Sequence, residues 1–243
     1  MIVEGINVVR ELISSRSRVD KILAEKGNNF EVNNIVDAAR KLNIPVEIVD
    51  KELLEKINKG KTQGILAYVP NFHYADVDEI LDVAAEKGKA PFIVILDSVV
   101  DPHNVGAIIR TCECAGVDGV IIPENRACLV NETVYKTSVG AVSHIKVALV
   151  KNLTRTIEYL KQKGVWTYAL EAGSKRIYDA DFTYPTALII GSEGKGVSRL
   201  VKETADEVLS LDMYGLVNSL NASCAGAIAI YEVVRQRRST PIS

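Results

Sequence analysis

Apolar positions change their period along the chain, and the change divides it in two. Ile6, Val9, Leu12 and Ile13 recur at helical spacing over residues 5–14, and Val32, Ile35, Val36, Ala39 and Leu42 repeat the pattern. Residues 19–24, 46–49 and 64–69 are short runs suited to strands, with Pro45 and Pro70 as punctuation. Asp50 is placed to cap a short helix ending near Ile57. Residues 1–72 therefore read as a small α/β domain. Residues 73–90 form a polar linker with one helix over 76–86, closed by Gly88 and Pro91.

From Pro91 the pattern is different. Phe92-Ile93-Val94-Ile95-Leu96 is apolar throughout, the signature of a strand covered on both faces. Further strand candidates follow at 119–122, 145–149, 165–170, 187–190 and 207–211, with helix-like segments between most of them. The alternation predicts a mostly parallel α/β sheet over 91–243.

Charge sharpens this division. The chain has 29 Lys and Arg against 31 Asp and Glu, which excludes a bulk polycation. Residues 1–75 carry 11 basic and 10 acidic side chains, a net +1; the remainder carries 18 and 21, a net −3. The N-terminal basic residues cluster at Arg16, Arg18 and Lys21, and again at Lys56, Lys59 and Lys61 beside Thr62-Gln63-Gly64. A basic loop that also bears an amide is suited to phosphates and base edges, although a solvated surface explains isolated charges as well.

Cys112, Cys114, Cys128 and Cys224 form no CxxC pair, and His73, His103 and His144 show no metal-ligand spacing. Reduced thiols, no metal and a cytoplasmic location are expected. No apolar run approaches the roughly 20 residues that a membrane span needs. The first residues lack the basic and apolar regions of a signal peptide.

Ligands of open α/β sheets collect where strands end at their carboxyl side. Three such ends are unusual here. Asp97 to Gly106 is a polar loop leading into a helix that holds Arg110, with Asn104 as a candidate helix cap. Arg110 lies six residues further on, less than two helical turns, so both side chains are expected near the loop mouth. Gly191-Ser192-Glu193-Gly194-Lys195-Gly196 follows an apolar strand; its spacing is neither that of a dinucleotide fingerprint nor that of a P-loop, and Glu193 disfavours an anionic ligand. Leu211 to Asn221 then runs into an Ala- and Gly-rich helix, in which Ala225, Gly226 and Ala229 suit a close contact.

The strings DPHNVGAIIRTCECAG, IIGSEGKGVSRL and LDMYGLVNSLNASCAGAIAIYE, in this order, resemble motifs 1 to 3 of the SpoU-type (TrmH-like) SPOUT methyltransferases. Residues 1–70, ending in Lys61-Thr62-Gln63-Gly64-Ile65, resemble the substrate-binding domain of the bacterial 23S rRNA guanosine-2′-O-methyltransferase group, which is similar to a ribosomal protein. The resemblance implies a deep C-terminal trefoil knot, a homodimer with shared active sites, and S-adenosylmethionine as cofactor. It implies catalytic roles for Arg110, Asn104, Glu193, Ser219 and Asn221. It puts the cofactor against Ile190, Gly191, Leu211, Met213, Leu220 and Ala222. RNA would meet Arg16, Arg18, Lys21, Lys56, Lys59, Lys61 and Gln63. The reaction implied is 2′-O-methylation of RNA ribose. Transfer RNA as the substrate, a non-catalytic RNA-binding assembly factor, and a nucleotide-phosphate enzyme are the alternatives.

Overall fold

The computed structural model describes residues 1–58 and 62–239, apart from the side chains of 172–174 and 239; Lys59 and Lys61 lie outside the described residues. The chain divides into two compact units. The first comprises Met1–His73 together with Val130–His144, and the second comprises Tyr74–Leu129 and Ile145–Ser243.

In the first unit, β1 (Ile2–Glu4), α1 (Ile6–Ser14), β2 (Lys21–Glu25), α2 (Phe30–Lys41), β3 (Val46–Val49), α3 (Lys51–Ile57) and β4 (Ile65–Tyr68) follow one another. The sheet order is β1-β4-β2-β3, with β2 and β3 parallel and β4 antiparallel to both its neighbours. The three-residue β1 precedes the first expected element, and nothing in its length marks it as a strand. The side chain of Asn29 caps α2 by accepting from the N–H groups of Glu31 and Val32. Gln63 stands in the left-handed region at φ 54°, and its Oε1 accepts the Ile6 N–H at 2.9 Å. Its carbonyl oxygen is thus spent on a backbone donor at the start of α1.

The sequence pattern assigns 130–144 to the second domain, but this stretch packs within the first unit. It contains α6 (Glu132–Thr137) and a 3-10 turn at Ala141–Ser143. Lys136 pairs with buried Glu4, which also accepts from Asn58 at 2.9 Å. Glu132 accepts the Ile2 N–H at 3.1 Å. Tyr135 meets Phe72 edge to face, and His144 contacts Glu11 at 2.8 Å. Val134, Tyr135 and Val142 are buried. A helix of six residues has too few turns to show a period, so the excursion leaves no signature in the pattern.

In the second unit, α4 (Val77–Glu86) opens with a capping box between Asp76 and Glu79. Then come β5 (Phe92–Asp97), α5 (Pro102–Ala115), β6 (Gly119–Pro123), β7 (Lys146–Val150), α7 (Leu153–Gln162), β8 (Trp166–Arg176), β9 (Thr186–Gly191), α8 (Arg199–Thr204), β10 (Glu207–Ser210) and α9 (Ala222–Ser239). The six strands are ordered β10-β8-β9-β5-β6-β7, and every neighbouring pair is parallel. All six carboxyl ends consequently share one edge. Central β5 and β9 are fully buried, as their unbroken apolar runs require. Ile93, Ile95, Ile121, Ile157, Leu160 and Ile189 build the core on one face of the sheet.

Helix α9 packs on α5 and β9. The approach is close at Gly226, where an added Cβ would lie 2.8 Å from Ile190 Cδ1. At Gly191 an added Cβ would fall inside the Gly196 backbone, so no side chain fits there. Among the described residues no helix is long and apolar enough to cross a membrane.

Candidate active site

The loops that follow β5, β9 and β10 leave the same edge of the sheet, and backbone and side-chain bonds hold two of them together. Asp97, buried at the end of β5, accepts the Ser198 N–H at 2.6 Å and the Ser98 hydroxyl at 3.0 Å. Within the loop after β9, Ser192 and Gly196 exchange backbone hydrogen bonds at 3.1 and 2.9 Å. Glu171 accepts the Val197 N–H at 3.2 Å. The motif reading passes over Asp97 and Glu171 as positioning groups, although a carboxylate closing an apolar strand is a visible signal for Asp97.

Asn104 is not the helix cap. Asp101 fills that role, with its side chain accepting the His103 N–H at 3.1 Å and Pro102 as the first helical residue. The Asn104 side chain is free for longer contacts because it stands inside the first turn. It is buried, and its Nδ2 donates to Glu193 Oε1 at 3.0 Å. Asn221 Nδ2 donates to Asn104 Oδ1 at 3.0 Å and also to Glu193 Oε1. Asn221 Oδ1 accepts from the Ser223 and Cys224 N–H groups and so caps α9. One residue from each of the three loop regions thus enters a single network.

Arg110 does not join it. It is exposed and has no hydrogen-bond or ion-pair partner among the described residues. Six residues of helix turn through about 600°, which puts Arg110 on a different face of α5 from Asn104. The expectation that both sit at one loop mouth neglects this rotation. Ser219 is likewise exposed and without a partner among the described residues.

Of the positions expected to meet a cofactor, Ile190 is buried with its side chain against α9, and Gly191 pairs with Asp97 across the β5–β9 ladder. These two can offer a ligand backbone atoms only. Ala222 is buried, Leu211 half-buried, and Met213 and Leu220 are exposed. The loop between β10 and α9 also exposes Tyr214, Leu216 and Val217, with Leu216 at 107% of its reference area. Such a run of uncovered apolar side chains is unusual for a protein surface.

In the first unit, Arg18 pairs with Asp20 at 3.2 Å and Lys21 pairs with Glu47, whereas Arg16 and Lys56 are exposed without ion pairs among the described residues. Cys112 is buried on α5, and burial pushes its thiol well above the ordinary range. That suits packing rather than nucleophilic chemistry. Among the described residues no group of three or more His, Cys, Asp or Glu is placed to hold a metal.

Residues 91–231 match the model of the SpoU rRNA Methylase family, and residues 2–75 match RNA 2'-O ribose methyltransferase substrate binding. YacO of Bacillus subtilis (strain 168), named provisionally as a TrmH family tRNA/rRNA methyltransferase, is 40% identical over 235 residues, which is 96% of this chain and 94% of the relative. The SpoU methyltransferase AviRb of Streptomyces viridochromogenes, solved in complex with AdoMet, superposes with a TM-score of 0.84 at 22% identity, over 99% of this chain and 91% of that one. An AdoMet-bound rRNA methyltransferase of Sinorhizobium meliloti gives a TM-score of 0.79 at 22% identity, over 96% and 86%. The structural likenesses define the fold as that of the SPOUT methyltransferases. The chain belongs to the SpoU rRNA methylase family and is an RNA methyltransferase of the TrmH/SpoU type.

Proposed function

We propose that this protein transfers a methyl group from S-adenosylmethionine to a ribose 2′-hydroxyl of RNA, on a guanosine of 23S rRNA. The observation that carries the reading is the Asn104–Glu193–Asn221 network at the carboxyl ends of a parallel sheet. Its donor set fits a cationic ligand. A carboxylate oxygen faces two amides, with no basic side chain bound to it among the described residues, and the Gly-rich loop that carries it lacks phosphate-cradle spacing. Exposed Met213 and Leu220 offer apolar surface for a base, and the backbone of Gly191, Leu211 and Leu220 offers donors and acceptors. When bound, the cofactor would supply an electrophilic methyl group on a sulfonium.

The chain's own residues would do the rest. Glu193, fixed by two amides, holds positive charge near the loop. Asn104 and Asn221 keep that carboxylate oriented, and Ser219 contributes a hydroxyl for the nucleotide. Arg110 stabilises the developing alkoxide or clamps the adjacent phosphate. The first unit selects the RNA through Arg16, Arg18, Lys21, Lys56 and Gln63, with Lys59 and Lys61 between the last two. For Gln63 the side-chain N–H₂ is the group left to contact RNA, since Oε1 is already bonded.

A homodimer is part of this reading. Leu216, Val217, Ile228 and Tyr231 are exposed apolar groups on the β10–α9 loop and on α9 itself, and a second copy would cover them. Light scattering is expected to give a dimer mass.

The decisive experiment incubates the protein with labelled cofactor and maps 2′-O-methylation on ribosomal and transfer RNA. The expected product is one methylated guanosine in 23S rRNA. A methylated transfer RNA would reassign the substrate, and cofactor binding without transfer to either RNA would leave an assembly factor.

A further inference from the structure

Carboxylates hold many of the basic side chains at the edges of the parallel sheet; at the carboxyl end of β8, Lys175 pairs with Glu207 and Arg176 with Asp179, each at 2.9 Å. At the amino edge Lys87 pairs with Asp118, Lys146 with Glu79 and Lys161 with Asp206, each at 2.9 Å. Arg237 there donates to the carbonyls of Ala90, Pro91, Phe182 and Tyr184. Lys89 and Lys163 are exposed there without a carboxylate partner among the described residues, and Lys163 lies over the Tyr159 ring.

At the carboxyl edge Arg126 stands three residues past β6. Lys151 directly follows β7, and Arg155 lies in the first turn of α7. All three are exposed, and none has a hydrogen-bonded or ion-paired side chain among the described residues. Glu124 and Glu158 lie in the same stretches and pair with none of them. Arg126 also holds a left-handed backbone at φ 58°, a strained setting for a residue with a side chain.

We infer that Arg126, Lys151 and Arg155 form a phosphate-binding track for the RNA strand flanking the target nucleotide. The inference rests on the reading of RNA as substrate and adds a site on the catalytic unit to it. β6 and β7 are the next two strands after β5, whose loop leads to Arg110, so the track begins about 5 Å from that strand and reaches about 10 Å from it. That separation is comparable to the Debye length at physiological salt, so the three charges act on a polyanion as one field. A cation without a carboxylate partner gives up no ion pair when a phosphate arrives, and its binding releases counterions from the RNA. The paired lysines of the opposite edge lack this advantage.

The test uses the full-length protein and in vitro transcribed 23S rRNA. Binding is titrated from low to moderate salt for the triple variant Arg126→Gln, Lys151→Gln, Arg155→Gln. The control of equal charge change is Lys89→Gln, Lys146→Gln, Lys163→Gln, three exposed positions on the other side. The slope of log K against log salt is expected to fall by about 2 in the first variant, roughly 0.7 per lost contact. The control slope is expected to match the wild type. An unchanged slope in the carboxyl-edge variant, or an equal fall in the control, overturns the track. Should the triple variant melt lower than the wild type, Lys151→Gln alone is expected to lower the slope by about 0.7. If the wild type methylates RNA but the slope of the triple variant equals its own, the track alone is rejected. An edge-dependent slope without methyl transfer rejects the proposed reaction and keeps the track.

Discussion

Arg110→Ala is expected to lose 10²- to 10³-fold in methyl transfer, with cofactor affinity and melting temperature unchanged. The magnitude is about that of removing one donor aimed at a developing oxyanion. The selectivity follows from where Arg110 stands. It is exposed, bonds to nothing described, and lies outside the Asn104–Glu193–Asn221 network, so its removal disturbs neither the fold nor that network. A neutral guanidine acting as general base is disfavoured by energy. Removing the proton of an arginine at neutral pH would cost on the order of 8 kcal/mol. Arg110→Lys separates the remaining roles: a simple charge contact survives in part, whereas a two-pronged phosphate clamp does not. Single-turnover transfer of labelled methyl, with calorimetry for the cofactor, checks this. Retained turnover in Arg110→Ala would remove Arg110 from the catalytic machinery.

Arg110 and Asn104 also show how far the sequence can be read. Strands β5 and β9 were legible because burial on both faces demands continuous apolar residues, and α4 because Gly88 and Pro91 punctuate its end. The partnership of Asn104 with Glu193 and Asn221 spans 89 and 117 positions, and no local period encodes a bond at that range. Only the resemblance of three motif strings put those residues in one site. The capping role given to Asn104 failed because Asp101 and Asn104 are both good caps; Pro102, suited to the first helical position, is the signal that decides for Asp101. The segment 130–144 was illegible for a different reason. Its docking depends on one buried acid, Glu4, and on a handful of apolar contacts from a single short helix.

That docking dictates the second large effect, which concerns how the two units are to be separated. A chain lacking residues 1–73 is expected to aggregate, even though the substrate-binding match ends near that point. The deletion strips the cover from Val134, Tyr135 and Val142, which are buried in the intact chain. Each such side chain gains roughly 1.5–3 kcal/mol from burial, so the exposed segment becomes an adhesive patch. It also leaves Lys136 without Glu4. The same truncation with 130–144 replaced by a short Gly/Ser linker is expected to be soluble and to retain cofactor affinity, because Asn104, Glu193 and Asn221 all belong to the second unit. Size-exclusion chromatography and a cofactor titration on both truncated chains check the pair of outcomes. Equal solubility of the two would mean that the excursion is stable without the first unit. Failure of both would mean that the second unit needs the first for more than the cover of one helix.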